Sequence, residues 1–449
     1  MYKLILATRY LIKRRITYFA VLAVALCVFI VVVVMTVMTG LVGGFKEKNH
    51  SFVGDCVVGT KSLVGFAYYE DFVKTLQKSD FVHSTSPVIK SFALVTTVED
   101  EQHYVFEIMG FDPVQHSRTT SFGRTLHHRK ANVSKAFEPI YDPNLAGFVI
   151  GIDRWLPRDA KGTYSHESEP SEAALLVSCI PLTTKGAPAK AGVGLANTKR
   201  FYYSDTSHSG LARVDGRLIY LEFEQAQQLC GMAGPTKRVN AIHIKFKPNI
   251  RLQAGCHKVA SLWQRFKQEK AGQQHADLLE NVTVQSWKDY RRASIAPMEK
   301  EQAELTVMFG LVGITTVFIV LVVFYMIISH KSKDIGILKS VGVSNSNIIL
   351  LFLGFASLVG LLGAGIGTFA GCFFLLKINH IESWLFEHFG FQLWDRTIYA
   401  IGDIPNQIDF EVVTVIIFSA MVACLAGALI PSWQAARLRP VETLQVSQL

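Results

Sequence analysis

Four long apolar runs divide the chain, and each is long enough to cross a membrane. A transmembrane helix needs roughly 20 apolar residues to span a hydrocarbon core of about 30 Å. The pattern therefore predicts an α-helical integral membrane protein with four transmembrane helices. The runs are Ile16–Gly44, Leu305–Ile328, Ile348–Leu376 and Val412–Ile430.

The first run is longer than a membrane requires. About 30 residues at 1.5 Å per residue give roughly 45 Å, so this helix either tilts or projects beyond the bilayer as a stalk. No small-x-small cleavage site follows before Phe45, so we expect an anchor that stays rather than a signal peptide. Pro297 predicts a kink or break ahead of the second span, and Pro431 is expected to close the fourth.

The region between the first two spans alternates short apolar segments with amphipathic ones. A strand–helix–strand order occurs at its start and recurs at its end. We predict one large α+β domain made from both ends, with residues 115–234 as an inserted subdomain and Arg158–Glu172 as an exposed loop. The predicted strands are 55–60, 87–98, 103–110, 239–246 and 281–285, and the predicted helices are 68–78 and 255–268.

These expectations divide the chain into consecutive segments. They are an N-terminal segment 1–15, a first transmembrane helix with stalk 16–45, the domain 46–303, a second transmembrane helix 304–328, a connecting helix 329–347, a third transmembrane helix 348–376, an outer loop 377–410, a fourth transmembrane helix 411–431 and a tail 432–449.

Basic residues flank the spans and predict the orientation of the chain. Met1–Arg15 contains five of them, the connecting helix contains His330 and three lysines, and Arg437 and Arg439 follow the last span. By the positive-inside rule these segments, including both termini, face the cytoplasm, and the domain 46–303 is extracytoplasmic. Attraction to anionic lipid explains the formal charge of +9, so we predict no nucleic-acid partner.

The segment Ser329–Ile348 between the second and third spans is predicted to be a short amphipathic helix. Ile337, Leu338 and Val341 form one apolar stripe, and Gly342 is expected to end the helix. Two interpretations remain open at this point. The helix is either a connector lying in the headgroup layer or a coupling helix that docks in a groove of a cytoplasmic motor subunit.

Motifs for catalysis are absent from the sequence. It contains no phosphate-binding loop, so the chain is not expected to hydrolyse ATP, and it contains no Gly-x-Ser-x-Gly elbow or zinc-protease helix. The adjacent pair His127–His128 lacks a third ligand, so we expect no metal, and we expect no cofactor. The spans carry no Asp, Glu, Lys or Arg in their centres, which disfavours ion-coupled transport and favours a partner that supplies energy.

Glycines and cysteines complete the candidate features. Gly363, Gly367 and Gly371 repeat at every fourth residue of the third span and predict a face for close helix packing. Three of the seven cysteines lie inside spans. The other four, which are Cys56, Cys179, Cys230 and Cys256, are expected to face outward, where one or two disulfides are possible without a readable pairing.

Several stretches match a family pattern in the same order along the chain. They are RYLIKRR, VMTGLVGGFKEK, EIMGFDP, KRFYYSDTSHSGLARVDGRLIYLEFEQAQQLCG, HKSKDIGILKSVGVSNSNI, YAIGDIPNQIDFEVV and PSWQAARLRPVETL. On these stretches the chain resembles the MacB/FtsX-type permeases of ABC transporters, and within them it is most similar to the lipoprotein-releasing permeases LolC/LolE. Asp334 stands where the family usually has Glu, and Arg439 stands where it usually has an acidic residue.

The resemblance implies a permease subunit of the bacterial inner membrane that forms a dimer with a second copy or a paralogue and binds ABC ATP-binding subunits. The connecting helix would be the coupling helix, and the outward extensions of the first two spans would act as levers in mechanotransmission. An acylated lipoprotein would pass from a cavity at Val34, Met35 and Met38 to a periplasmic carrier. The expected contacts with the ATP-binding subunit are Lys333, Asp334, Ile337, Leu338, Lys339, Val341 and Gly342.

Three alternatives to lipoprotein release remain open. A MacB-like pump would export peptides or drugs through a periplasmic adaptor. An FtsX-like signal transmitter would move no substrate and would activate a cell-wall hydrolase through its outer domain. A membrane-anchored binding module would have no motor partner at all.

Overall fold

The computed structural model describes residues 15–97, 102–157, 164–166, 172–190, 192, 194–390 and 404–438. Predictions for the N-terminal segment 1–14, most of the Arg158–Glu172 loop, residues 391–403 and the tail beyond 438 lie outside the described residues. The chain divides into two compact units, one containing the long apolar helices and one containing residues 44–296.

The helices and strands are numbered here in chain order. The helices are α1 Arg15–Val53, α2 Tyr69–Gln77, α3 Pro113–Thr119, α4 Phe122–Thr125, α5 Ile152–Trp155, α6 Ala212–Arg217, α7 Phe223–Leu229, α8 Leu252–Glu269, α9 Trp287–Tyr290, α10 Arg292–His330, α11 Ser332–Ser340, α12 Asn345–Phe389 and α13 Phe410–Arg437. The strands are β1 Cys56–Gly59, β2 Phe66–Ala67, β3 Val82–Thr97, β4 His103–Phe111, β5 Gly147–Gly151, β6 Ala174–Cys179, β7 Asn197–Ser207, β8 Leu218–Glu222, β9 Arg238–Val239, β10 Ala241–Phe246 and β11 Thr283–Ser286.

Among the described residues, four helices are long and apolar enough to cross a membrane: α1, α10, α12 and α13. A mixed α/β domain lies between α1 and α10 in the chain. Together these features confirm the predicted fold class, an α-helical integral membrane protein with one large α+β domain. Helices α1 and α12 contain 39 and 45 residues, or roughly 58 and 68 Å, so both are longer than a hydrocarbon core of about 30 Å.

The two prolines expected to interrupt long helices do not end them. Helix α10 is continuous through Pro297, and α13 runs through Pro431 to Arg437, so the prediction that Pro431 closes the fourth span is wrong. A proline removes one backbone donor, and membrane helices tolerate this loss where neighbouring groups satisfy the backbone.

The domain is built on one nine-stranded sheet. Its strand order is β11-β1-β10-β3-β4-β8-β5-β7-β6, with a further pairing between β3 and β6. Because β3 has 16 residues, it pairs with β10 near its start and with both β4 and β6 near its end. The last six strands therefore close into a ring, and β5 to β8 of the segment 115–234 share this sheet with the rest of the domain.

The two ends of the domain sequence meet in the open part of the sheet. Strand β1 pairs antiparallel with β10 and with β11, as expected for two split halves that join. Helices α2 and α8 cover these strands, and Phe72 of α2 packs edge-on against Trp263 of α8 with ring centroids 4.7 Å apart. The strand–helix–strand halves predicted from the pattern are thus both present.

Candidate functional site

Helix α11 is the short element between the second and third spanning helices. Gly342 follows it with φ +94°, a left-handed conformation that favours glycine. The Val343 N–H donates to the Leu338 carbonyl at 3.1 Å, which is the wide bond of a Schellman motif. Ser344 then caps α12 by accepting a hydrogen bond from the Asn347 N–H. The ends of α11 are therefore set by local sequence, as the glycine and serine predicted.

One face of α11 is fixed to its neighbours. Ile335 is buried in a small apolar cluster with residues of α10, α12 and α13. The Lys339 ammonium donates to the carbonyl oxygens of Ala436 at 2.6 Å and Leu438 at 2.8 Å, where α13 ends. A cation satisfies the unpaired carbonyls and the negative dipole of a helix C-terminus. A movement of α11 would therefore pull on three long helices together.

The other face of α11 is open and partly apolar. Ile337 and Val341, four residues apart, are 53% and 79% exposed, and Lys333 lies one turn before Ile337 and is also exposed. Gly342 is exposed as well. Of the other residues expected to contact an ATP-binding subunit, Asp334 and Leu338 are half-buried. The structure thus brings Lys333, Ile337 and Val341 onto one free surface, whereas Lys339 serves the link to α13.

An apolar cavity of about 700 Å³ lies between α1, α10 and α13. Met35 lines it, together with Val31 of α1, Phe309 of α10 and Ser419 of α13. Val34 and Met38, the other two residues expected there, are not among its lining residues, and Met38 is 7% exposed. A cavity of this volume falls in the range of small-molecule sites, and its lining suits apolar ligands.

The three spaced glycines of α12 lie against α1. A Cβ atom added at Gly363 would lie 2.8 Å from Val24 Cβ, and one added at Gly367 would lie 2.4 Å from the Ala25 carbonyl oxygen. At Gly371 the nearest atom would be Val32 Cγ1, at 3.1 Å. At Gly363 and Gly367 there is no room for a Cβ atom, so these two glycines allow the close backbone approach. The glycine face therefore positions α1, one of the helices that line the cavity.

The end of α1 and the start of α10 are joined inside the domain, by residues that the sequence pattern did not single out. Arg291 Nε donates to Asn49 Oδ1 at 2.7 Å, and Asn49 is fully buried. The His50 ring stacks on the Trp287 indole with centroids 4.7 Å apart. Each contact joins a residue of α1 to the segment that leads into α10. The end of α1 and the start of α10 are therefore held at one place in the domain, which we call the anchorage.

Asp55 fastens this anchorage to the sheet. Its carboxylate accepts the Phe246 N–H at 2.7 Å and contacts His50 Nε2 at 2.6 Å and Lys245 Nζ at 3.2 Å. Burial raises the pKa of the Asp55 carboxyl, but these hydrogen bonds and the lysine charge outweigh burial and hold it below its ordinary value of 3.8. Asp55 is therefore a charged acceptor that ties the α1 terminus to β10.

The histidine pair has a third histidine beside it. His166 stacks on His127 with ring centroids 3.5 Å apart. Within the described ranges, however, no group of three or more His, Cys, Asp or Glu residues could hold a metal ion.

Comparison with known proteins finds a match within the helical unit. Residues 306–440 match the family model described as FtsX-like permease C-terminal. This match covers α11 and most of the helices around it, so these residues are similar to an FtsX-like permease domain, which supports an ABC transporter permease. Similarity to such permeases implies an ATP-binding partner and a dimeric arrangement.

The whole chain is similar to the lipoprotein-releasing system transmembrane protein LolC. For LolC of Xylella fastidiosa the identity is 22% over 426 residues, covering 95% of this chain and 92% of the relative. LolE of Haemophilus influenzae is 24% identical over 26% of this chain and 29% of its own length. An uncharacterized ABC transporter permease of Methanocaldococcus jannaschii is 30% identical over 32% and 31% of the two chains. The predicted resemblance to these permeases is confirmed.

One solved structure aligns with about half of this chain. The periplasmic region of MacB from Actinobacillus actinomycetemcomitans aligns with 54% of this chain and 94% of its own, with 9% identity and a TM-score of 0.30.

Proposed function

We propose that this chain is the permease subunit of an ABC transporter that releases lipoproteins from the bacterial inner membrane to a periplasmic carrier. The observation that carries the proposal is the similarity to LolC along 95% of the chain, together with the FtsX-like permease domain. The domain 44–296 faces the periplasm, and both termini and α11 face the cytoplasm. The chain is not an enzyme, and ATP hydrolysis takes place on a separate ATP-binding subunit.

Helix α11 is the coupling helix that contacts this ATP-binding subunit. The exposed side chains of Ile337 and Val341 would be unfavourable in water and suit an apolar groove on a partner. Lys333 adds a charge beside them. Because Ile335 and Lys339 hold the opposite face, a push on α11 is transmitted to α10, α12 and α13 rather than absorbed by a loose loop.

The cargo binds at the apolar cavity of about 700 Å³. Acyl chains of a lipoprotein match its lining, and flexible Met35 can adapt to chains of different shape. A second permease, either a copy or a paralogue, completes the site with its own second spanning helix. The levers α1 and α10 then carry the movement to the domain, which passes the cargo to the carrier.

A paired set of variants tests the docking surface. Ile337→Asp with Val341→Asp adds charge to the exposed face, and Ser346→Asp adds a charge at an exposed position in the first turn of α12 as a control. We expect the double variant to lose the ATP-binding subunit on affinity purification by at least tenfold, while the control retains it. Both proteins should elute as folded species in size-exclusion chromatography. Normal recovery of the ATP-binding subunit with the double variant would overturn the proposed contact.

Reconstituted transport then tests the cargo. Proteoliposomes that contain the permease and its ATP-binding subunit should release an acylated lipoprotein to an added carrier only with ATP. An ATPase response to peptides or drugs without lipoprotein release would favour an efflux pump instead. Recovery of a cell-wall hydrolase on the domain, with no release, would favour a signal transmitter.

A further inference from the structure

We propose that the four cysteines of the domain form two disulfide bonds, Cys179 with Cys230 and Cys56 with Cys256. This inference rests on the proposed periplasmic orientation, because disulfides form and persist in that oxidising compartment. The sequence allowed several pairings. The structure places each of the four thiols beside one of the others, and so assigns one connectivity.

The first pair is close and buried. Cys179 ends β6, Cys230 follows the last residue of α7, and their sulfur atoms are 3.7 Å apart. The two residues are 2% and 3% exposed. A disulfide bond is about 2.05 Å long, so the sulfurs have to approach by about 1.7 Å, which lies within the reach of side-chain rotation.

The second pair joins β1 to α8. Cys56 is the first residue of β1 and comes three residues after α1 ends, and Cys256 lies on α8, the helix that covers this strand. Cys56 is fully buried, and Cys256 packs against the same core from the helix side. Interaction between the two thiols raises the pKa of Cys56 and lowers that of Cys256, as expected for neighbouring thiols.

Oxidation of each pair is a two-electron exchange with an external disulfide. A cysteine thiolate of the pair attacks the disulfide of a thiol–disulfide oxidant, which forms a mixed disulfide and releases one oxidant thiolate. The second thiolate of the pair then attacks the first cysteine sulfur and displaces the other oxidant thiolate. The pair loses two protons and two electrons, and the oxidant becomes a dithiol.

The two thiols of the first pair interact in the folded domain. Their hydrogen bond lowers the pKa of Cys179 to about 7 and raises that of Cys230. Because both residues are buried in the folded domain, the oxidant reaches them before β6 has closed the ring of strands. Once formed, the bond is shielded from reductants.

The two bonds would hold different parts of the domain. Cys179–Cys230 ties β6, the strand that closes the six-stranded ring on β3, to α7. Cys56–Cys256 ties the strand that directly follows α1 to the helix on its other side. The second bond therefore stiffens the place where the lever α1 continues into the sheet.

Differential alkylation of the full-length protein tests the pairing. The protein is purified from membranes in the presence of iodoacetamide, digested without reduction and analysed by mass spectrometry. We expect peptides linked through Cys179–Cys230 and through Cys56–Cys256, and alkylation of the four residues only after reduction. Alkylation of all four before reduction, or linkage in another combination, would overturn the proposal.

Thermal unfolding gives a second, independent readout. Closing the loop between residues 179 and 230 should raise the melting temperature by about 10 °C. We expect Cys179→Ser with Cys230→Ser to lower it by this amount. The control Cys27→Ser with Cys372→Ser, both in spanning helices, should have no such effect. Equal melting temperatures of the native protein and the variant that lacks Cys179 and Cys230 would contradict the inference.

The disulfide proposal and the proposed function can fail independently of each other. A cysteine introduced at exposed Lys185 in a cysteine-free background, labelled in intact spheroplasts with a membrane-impermeant maleimide, reports the orientation alone. A labelled domain with four free native thiols would overturn the disulfides and leave the orientation standing. Linked peptides with no lipoprotein release would support the disulfides and count against the proposed cargo.

Discussion

Replacing Gly367 of α12 with alanine should separate α1 from α12. A Cβ atom at this position would lie 2.4 Å from the Ala25 carbonyl oxygen and 2.9 Å from Val28 Cβ. Both neighbours belong to a long helix, so neither can swing away as the end of a flexible side chain could. The helices must instead move apart, or the backbone must distort.

The size of the effect follows from these distances. To restore an ordinary contact distance, α1 and α12 must move apart by about 1 Å. A gap of this size loses a quarter to a half of the dispersion energy of each atomic contact between the two helices. Overpacking in well-packed interiors costs about 1–3 kcal/mol. Alanine also gains up to about 1 kcal/mol over glycine in helix propensity, which partly masks the packing loss.

A control on the same helix removes this masking. At Gly365, which is exposed, an added Cβ atom would meet nothing within 4 Å. Gly365→Ala gains the same helix propensity without a clash, so the difference between the two variants isolates the packing. We expect Gly367→Ala to unfold with a free energy about 1–3 kcal/mol below that of Gly365→Ala.

The measurement is denaturant unfolding of both purified variants in the same detergent, followed by tryptophan fluorescence. Gly363→Ala should fall between them, because its added Cβ atom would lie 2.8 Å from side-chain atoms of Val24 rather than 2.4 Å from a backbone oxygen. Equal stability of the Gly367 and Gly365 variants would refute the close α1–α12 contact.

Two further predictions concern the domain and the cavity. Burial and then the charge of Lys90 lower the pKa of His116 from 6.5 to about 3, and the ring of His243 lies beside it. As the pH decreases from 6.5 towards 3, His116 takes up a proton in the unfolded chain but not in the folded one, so the free energy of unfolding should decrease. Relative to the native protein, His116→Gln should recover about 2 kcal/mol of the stability lost between pH 7 and pH 5, and an unchanged pH dependence would contradict this. Met35→Trp should lower lipoprotein release several-fold and leave recovery of the ATP-binding subunit unchanged. Val34 does not line the cavity, so Val34→Trp should have a smaller effect. Equal release by the two variants would count against cargo binding in this cavity.

Much of the fold could be predicted from hydrophobic pattern alone. The four spanning helices follow from run length, because a membrane span has a fixed minimum length. One domain built from both ends of the region was expected from the repeated strand–helix–strand order, and β1 and β10 pair in it. The closure of six strands through β3 and β6 was not predictable in this way, because pairing between strands this far apart in sequence leaves no local signal.

The candidate site was predictable in position but not in detail. Local residues determine where α11 lies and ends, but they do not show which side is covered. Both Ile335 and Ile337 are apolar, and only the packing of α10, α12 and α13 decides that Ile335 is the buried one. The same holds for Met35 and Met38, which lie three residues apart and therefore on the same side of α1, although only Met35 lines the cavity. Which methionine faces the cavity depends on where the neighbouring helices lie.

The contacts of α1 show why the lever proposal is mechanically consistent. In the helical unit α1 packs on the glycine face of α12, and in the domain Asn49 holds it to Arg291. Arg291 lies directly before α10, so within the domain both levers end at one buried joint. Under the proposed function, a displacement that enters through α11 would first move α10, α12 and α13, because Ile335 and Lys339 bind there. It would reach α1 through the glycine face and through the joint, so that α1 and α10 would move as a pair. A permease that worked in this way would need no charged or catalytic residue in its spans to pass work to its domain.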